Sequence, residues 1–88
     1  MIRVYRLDPN DHQDPRWRDA SLVCEAVFAA AMSAWDARKL VALKTAPDVS
    51  ARTQSPWLDD GMTRCTWDRA KRYVPKGAVE TGTGRVIA

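Results

Sequence analysis

The chain is poor in the residues that metal sites, disulfide scaffolds and phosphate-binding loops use. It contains one histidine, two cysteines and four glycines in 88 residues. Two cysteines are too few for a disulfide scaffold, and with one histidine they do not make the four ligands of a zinc site. Gly82 and Gly84 have no third glycine and no helix after them, and no GxxxxGK[ST] pattern occurs, so no nucleotide-binding loop is expected. We therefore expect no metal and no cofactor.

Catalytic groups are equally sparse. His12 lies in a proline-bounded loop, which favours an exposed side chain, although a Cys-His pair with Cys24 or Cys65 is the alternative. Residues 59–61, Asp-Asp-Gly, have the composition of a turn. The sequence therefore predicts a protein that is not an enzyme.

No apolar run is long enough to cross a membrane. The longest low-charge run, residues 26–34, falls far short of the roughly 20 residues of a transmembrane helix. The opening MIRVYRLDPN has no apolar signal-peptide core. We expect a soluble, cytoplasmic protein with no membrane partner. In a reducing cytosol Cys24 and Cys65 should be buried thiols, with a disulfide between them as the alternative if their strands are neighbours in register.

The length suits a single domain, residues 1–88, with a modest core. Residues 2–7 are β-branched and aromatic, which is typical of an edge or hairpin strand. Residues 8–19 contain two Asp-Pro pairs and should form a loop. The large ring of Trp17 should hold that loop against the core.

Residues 20–45 contain neither glycine nor proline, so helix propensity alone would make them one long helix. Alternation over residues 22–29 favours a strand instead. The buried face of that strand would hold Leu22, Cys24, Ala26 and Phe28. A helix would then begin at Ser33, which forms a capping box with Asp36, and end before Pro47. Strand followed by helix is our preferred prediction, and one long helix stays open.

The second half of the chain predicts more loop and strand. Residues 46–61 should be a loop and residues 62–69 a strand, while residues 75–88 form either a C-terminal hairpin or a flexible tail. Together these elements predict an α+β fold. We expect a small, mainly antiparallel sheet of three to five strands with one helix packed on one face.

Positive charge is concentrated in residues 64–76, which we call the basic strip. The strip holds five Lys/Arg and one Asp, a net charge of +4, whereas the remaining nine Lys/Arg and ten Asp/Glu give −1 of the total +3. Such a local field favours acidic or phosphate-bearing partners. The candidate partner-binding residues are Arg64, Trp67, Arg69, Lys71, Arg72, Tyr73 and Lys76.

Strand alternation constrains how the basic strip can lie. Cys65 and Trp67 should face the core, and Arg69 and Lys71 would then share their side. An enclosed core would exclude both charges, so we expect the strand to leave the core near Asp68, or to bulge there, and residues 70–76 to project as a charged arm. Three roles stay open for it: a solvated edge that discourages strand pairing, a protein-docking surface, or a nucleic-acid contact.

Three stretches together resemble a group of small bacterial proteins. They are VYRLDPND followed by DPRW, SAWDARKLVA, and SPW with a cysteine nine residues after its proline. The resemblance covers about residues 2–65 and implies the order strand, Trp-bearing loop, strand, helix, Cys-bearing strand. Trp35 departs from the pattern, because that helix usually starts with an acidic residue, and the segment after Cys65 is extra.

The small size and the added charged segment also resemble the inhibitors that phages and mobile elements carry, such as anti-CRISPR proteins. This resemblance implies a non-catalytic protein that blocks a bacterial defence complex by occlusion. Its partner would be a protein or nucleoprotein complex with an acidic or nucleic-acid-facing surface. The alternative is a small nucleic-acid-binding accessory protein that uses residues 64–76, and a homodimer stays open.

Overall fold

The structure is a computed structural model, and it describes residues 1–71 and 73–88. Across these residues, five strands form one antiparallel sheet in the order β3-β1-β2-β4-β5. The strands are β1 (Arg3–Pro9), β2 (Val27–Ala31), β3 (Thr63–Trp67), β4 (Val79–Thr81) and β5 (Val86–Ile87). The helices are α1 (Pro15–Ala20), α2 (Ala34–Thr45), α3 (Val49–Thr53) and a 3-10 turn at Pro56–Leu58. The predicted α+β class is confirmed.

The longest helix, α2, begins and ends where local signals place it. The Ser33 hydroxyl accepts a hydrogen bond from the backbone N–H of Asp36 at 3.1 Å, which satisfies one of the free donors of the first turn. The helix ends at Thr45, two residues before Pro47. Ala37 and Val41 are fully buried against the sheet. Strand followed by helix is therefore correct for residues 20–45, and one long helix is wrong.

The second strand starts later than predicted and buries the opposite face. It begins at Val27. Upstream of it, the backbone N–H of Leu22 donates to the Thr45 carbonyl at 2.7 Å and so attaches that part of the chain to the end of α2. Leu22 is 72% exposed, whereas Val23, Val27 and Ala29 are buried. A shift of one residue inverts every side chain of a strand, so the predicted buried face (Leu22, Cys24, Ala26 and Phe28) is wrong.

Strand β1 is an interior strand, which corrects the prediction of an edge or hairpin strand. It pairs with β2 on one side and with β3 on the other. Tyr5 and Leu7 point into the core cluster that α2 covers, and Val4 and Arg6 point to the opposite face because side chains alternate along a strand.

The two predicted loops, residues 8–19 and 46–61, each contain short helices. Capping residues and prolines in the sequence mark where these helices begin. Pro15 opens α1 after the cap residue Asp14, and Pro56 opens the 3-10 turn after the cap residue Ser55. Proline suits the first position because its missing N–H would have no helical partner there. Trp17 is buried as predicted and packs edge-to-face on Trp57, with 4.8 Å between the ring centroids.

Residues 68–78 lead from β3, at one edge, to β4, which lies beyond β1 and β2. Lys71 lies against the sheet face opposite α2, where its Nζ is 5.3 Å from the centre of the Phe28 ring and forms a salt bridge with Glu80. Val74 is also buried. The strand ends next to Asp68 as predicted, but Lys71 and Val74 lie against the sheet, which corrects the prediction that residues 70–76 project as a charged arm. Lys71 is held there by the opposite charge of Glu80 on β4 and by the aromatic face of Phe28 on β2.

A candidate cationic interaction surface

Two guanidinium groups stack on one exposed tryptophan. The Arg3 guanidinium carbon lies 4.1 Å from the centre of the Trp67 ring, and that of Arg69 lies 4.3 Å from it. Trp67 is 41% exposed. We call these three residues the Arg-Trp cluster.

The sheet register brings the cluster together. Tyr5 of β1 pairs with Trp67 of β3, and the Asp68 N–H donates to the Val4 carbonyl at 2.9 Å. Continuing this antiparallel register by one step places Arg3 opposite Arg69, and both guanidinium groups lie over the Trp67 ring. The strand pairing itself therefore sets the geometry.

The two arginines lack an acidic partner among the residues that the structure describes. Among the described residues, the salt bridges of the sheet region use other cations, such as Arg6 with Asp8 and Lys71 with Glu80. Neither Arg3 nor Arg69 forms one, whereas like charges opposite each other in a sheet are ordinarily destabilising. The electron-rich face of the ring offsets part of that repulsion. The remaining positive potential favours an anion that both guanidinium groups could contact.

Three exposed apolar side chains occur at the same end of the sheet as the cluster. Ile2 precedes β1 and Met32 follows β2, whose last residue pairs with Arg3, and they are 47% and 62% exposed. Trp35, on the first turn of α2, is 53% exposed. The Cys65 thiol lies 3.9 Å from the Ala34 carbonyl, which brings the start of α2 next to β3. Aromatic residues, Met and Arg are the types that protein interfaces enrich.

The structure divides the basic strip into several environments. Arg64 is exposed on β3, on the sheet face opposite Trp67. Tyr73 is 71% exposed, and Lys76 is exposed in the turn that leads to Gly77. Lys71 is held by Glu80. Arg72 lies outside the described residues.

Sequence reasoning missed Arg3. No local feature distinguishes it, because its role depends on pairing between the first and third strands. The one available signal was the alternation of residues 2–7, which puts Arg3 on the same face as Tyr5. That signal acquires meaning only when Tyr5 is known to pair with Trp67.

Both cysteines are free thiols, which corrects the candidate Cys24–Cys65 disulfide. Cys65 lies on β3 near the Ala34 carbonyl. The Cys24 sulfur lies 3.7 Å from Nδ1 of His12. Burial raises the pKa of both thiols above the usual range.

The Cys24–His12 contact meets the distance that a Cys-dependent enzyme requires. Burial raises the pKa of the Cys24 thiol, whereas a nucleophilic cysteine is a thiolate whose pKa is lowered. Among the described hydrogen bonds, none orients the other nitrogen of His12 as the third member of a triad would.

The described residues contain no group of three or more His, Cys, Asp or Glu side chains placed to hold a metal ion. In the same part of the chain, no helix has both the length and the apolar character needed to cross a membrane. No protein-family model, curated protein or solved structure matches the chain. The resemblance to small bacterial and phage-borne proteins therefore stays a prediction.

Proposed function

We propose that this is a non-catalytic binding protein that docks on an acidic surface of a partner protein through the Arg-Trp cluster. The observation that carries the proposal is the pair of guanidinium groups, at 4.1 and 4.3 Å from the centre of one exposed ring, with no carboxylate bound to either among the described residues. A carboxylate placed between them would gain two charge-assisted hydrogen bonds. The Trp67 ring and the apolar side chains exposed at this end of the sheet would exclude water from the interface, and charge-assisted hydrogen bonds are strongest where water is excluded.

A protein partner fits this surface better than a nucleic acid does. Proteins that bind nucleic acid well at physiological salt commonly make about six or more phosphate contacts. On β1, β3 and the residues next to them, the described cations without a salt bridge are Arg3, Arg64 and Arg69. The exposed Ile2, Met32 and Trp35 at the same end of the sheet suit a protein surface.

The test compares two defined probes with the folded chain. One is an acetylated, amidated peptide of alternating glutamate and threonine, and the other is an oligo(dT) with the same number of negative charges. We expect the peptide to shift the indole N–H resonance of Trp67 and to bind more tightly than the oligonucleotide. Removing two cations worth about 0.5–1 kcal/mol each, in the variant Arg3→Ala/Arg69→Ala, should weaken peptide binding about tenfold.

The matched control is Arg52→Ala/Arg85→Ala. It removes the same charge from two exposed positions outside the cluster, so peptide binding should stay within about twofold of wild type, since distant exposed charges are largely screened. Tighter binding of oligo(dT), with a steep salt dependence, would favour the nucleic-acid alternative. Equal loss in both variants, or no response of Trp67, would contradict the proposal.

A narrower version names the partner class as a bacterial defence complex, blocked by occlusion. Its support is the small size of the chain and a concentrated surface charge that suits occlusion of an acidic or nucleic-acid-binding site. Phage plating on an immune host that expresses the protein tests it. Protection of the phage by wild type and by the control variant, but not by the Arg3/Arg69 variant, is the expected result. Absence of protection by wild type would reject this version and leave the general proposal standing.

A further inference from the structure

Strand β3 is an edge strand with one open side. Within the described sheet it pairs with β1 alone. At its two ends the Asn10 N–H donates to the Met62 carbonyl at 2.8 Å, and the Asp68 N–H donates to the Val4 carbonyl at 2.9 Å. Backbone groups alternate in direction along an antiparallel strand. Even-numbered residues of β3 therefore point their N–H and C=O groups toward β1, and odd-numbered residues point theirs outward.

The outward groups differ along the strand. The Thr63 N–H donates to the Asp59 carbonyl at 3.0 Å, and the Thr63 carbonyl accepts from Arg38 at 3.1 Å, so this end is closed. The N–H and C=O groups of Cys65 and Trp67 have no partner among the described hydrogen bonds. The open edge thus offers two donors and two acceptors at the spacing of a strand.

Cations that form no salt bridge within the described part of the chain flank this open edge on both faces of the sheet. Arg64 lies on one face, and Arg69 lies with Trp67 on the other. Pairing of β3 with a second copy of itself would bring these cations together, and edge charges of this kind oppose such pairing. The same charges attract a strand that carries carboxylates. Charge complementarity therefore selects an acidic chain and disfavours a second copy of this one.

We propose that the β3 edge takes up an extended, carboxylate-bearing segment of the partner protein as an added antiparallel strand. This inference rests on the proposed function and states how the acidic partner is held. Main-chain hydrogen bonds to Cys65 and Trp67 would provide the pairing, and side-chain contacts would provide the specificity. On the face of Trp67, a carboxylate of the added strand would meet the Arg-Trp cluster.

The first test blocks the edge without touching the fold. Because the Cys65 N–H points outward, Cys65→Pro removes no hydrogen bond to β1, and proline is tolerated on the open side of an edge strand. The matched control is Cys65→Val, which keeps the backbone N–H. Using the glutamate-threonine peptide as probe, we expect Cys65→Pro to weaken binding about tenfold and Cys65→Val to leave it within about twofold, because the ladder hydrogen bond donated by the backbone N–H of residue 65 is lost only in the first.

The second test uses the wild-type chain, so it holds even if the proline variant fails to fold. In the free protein, the amide hydrogens of Cys65 and Trp67 should exchange quickly, and those of Arg64 and Thr66 slowly. Saturating peptide should slow exchange at Cys65 and Trp67 at least tenfold. Charge-dependent binding without that slowing, or with Cys65→Pro unaffected, would overturn the added strand and leave the proposed function in place. Absence of charge-dependent binding would overturn both.

Discussion

Arg38 of α2 donates a hydrogen bond to the backbone carbonyl of Thr63 at 3.1 Å and so fixes the first residue of β3 to the helix. The same guanidinium donates to the Trp57 carbonyl at 3.0 Å and pairs with Asp60. Arg38 is 7% exposed, whereas the Asp60 side chain is 94% exposed. The buried Arg38 guanidinium is therefore bound largely by neutral backbone oxygens. One of them belongs to Thr63, so Arg38 attaches the start of β3 to α2.

We expect Arg38→Met to lower the free energy of unfolding by about 3 kcal/mol, because it leaves several buried oxygens without a donor. Lys39→Met is the matched control, since Lys39 is the next residue of α2 and its salt bridge with Asp36 is exposed. Exposed pairs contribute about 0–1 kcal/mol. Urea unfolding of both variants measures the difference, and equal losses would contradict the anchoring role of Arg38.

The two tryptophans that meet in the core should respond differently to substitution. Nε1 of Trp57 donates to the Ser21 hydroxyl at 3.0 Å, whereas Nε1 of Trp17 is buried with no hydrogen-bond partner among the described residues. Trp57→Phe removes a satisfied donor, and Trp17→Phe removes an unsatisfied one. We expect Trp57→Phe to destabilise the protein by about 1–2 kcal/mol more than Trp17→Phe does. An equal or larger loss for Trp17→Phe, measured by urea unfolding, would mean that its indole N–H has a partner in solution.

Local sequence signals predicted the helices and strands of this fold better than they predicted which elements pack or pair with each other. Ser33 and Pro47 bound α2 because capping and helix termination depend on a few neighbouring residues. The face that β2 buries is set by its register with the distant strand β1, in which Val27 pairs with Leu7 and Ala29 pairs with Tyr5. A prediction from alternation alone could not include this contact.

The candidate site was predictable only in part, for the same reason. Trp67 and Arg69 are close in sequence, and the charge pattern identified both. Their partner Arg3 comes from the other end of the chain through strand pairing. The sequence pattern put Lys71 and Arg69 on the same side of the strip, yet the salt bridge with Glu80 holds Lys71 on the opposite face of the sheet. Charge density along a sequence therefore indicated the region but not the composition of the surface.

Arg69 and Lys71 should accordingly give opposite results when each is replaced by alanine. The Lys71 side chain is 32% exposed and that of Glu80 is 18% exposed, so we expect Lys71→Ala to cost about 1 kcal/mol of stability and to leave peptide binding unchanged. Arg69 is exposed and stacks on Trp67, so Arg69→Ala should change stability by less than about 0.5 kcal/mol and weaken peptide binding. Urea unfolding measures the stability of each variant, and fluorescence anisotropy measures peptide binding. If Lys71→Ala weakened peptide binding as much as Arg69→Ala does, Lys71 would belong to the interaction surface.

The thiols provide the last prediction. Thiol titration of protein purified without reductant should count two free thiols, in accordance with the two free cysteines of the structure. Burial raises the pKa of Cys24 and Cys65, so at pH 8 the folded chain contains less thiolate than the unfolded chain. Because only the thiolate is nucleophilic, we expect iodoacetamide to modify both residues more slowly in the folded protein than in urea.

The same raised pKa values fix the direction of the effect of pH on stability. As pH rises above the pKa of the unfolded thiols, the unfolded chain ionises first, so the contribution of the two cysteines to stability falls. Replacing both with alanine should flatten the fall of stability with pH in this range. Faster modification of Cys24 in the folded state, abolished by His12→Ala, would instead show that His12 activates the thiol. That result would support the alternative that the protein is a Cys-dependent enzyme.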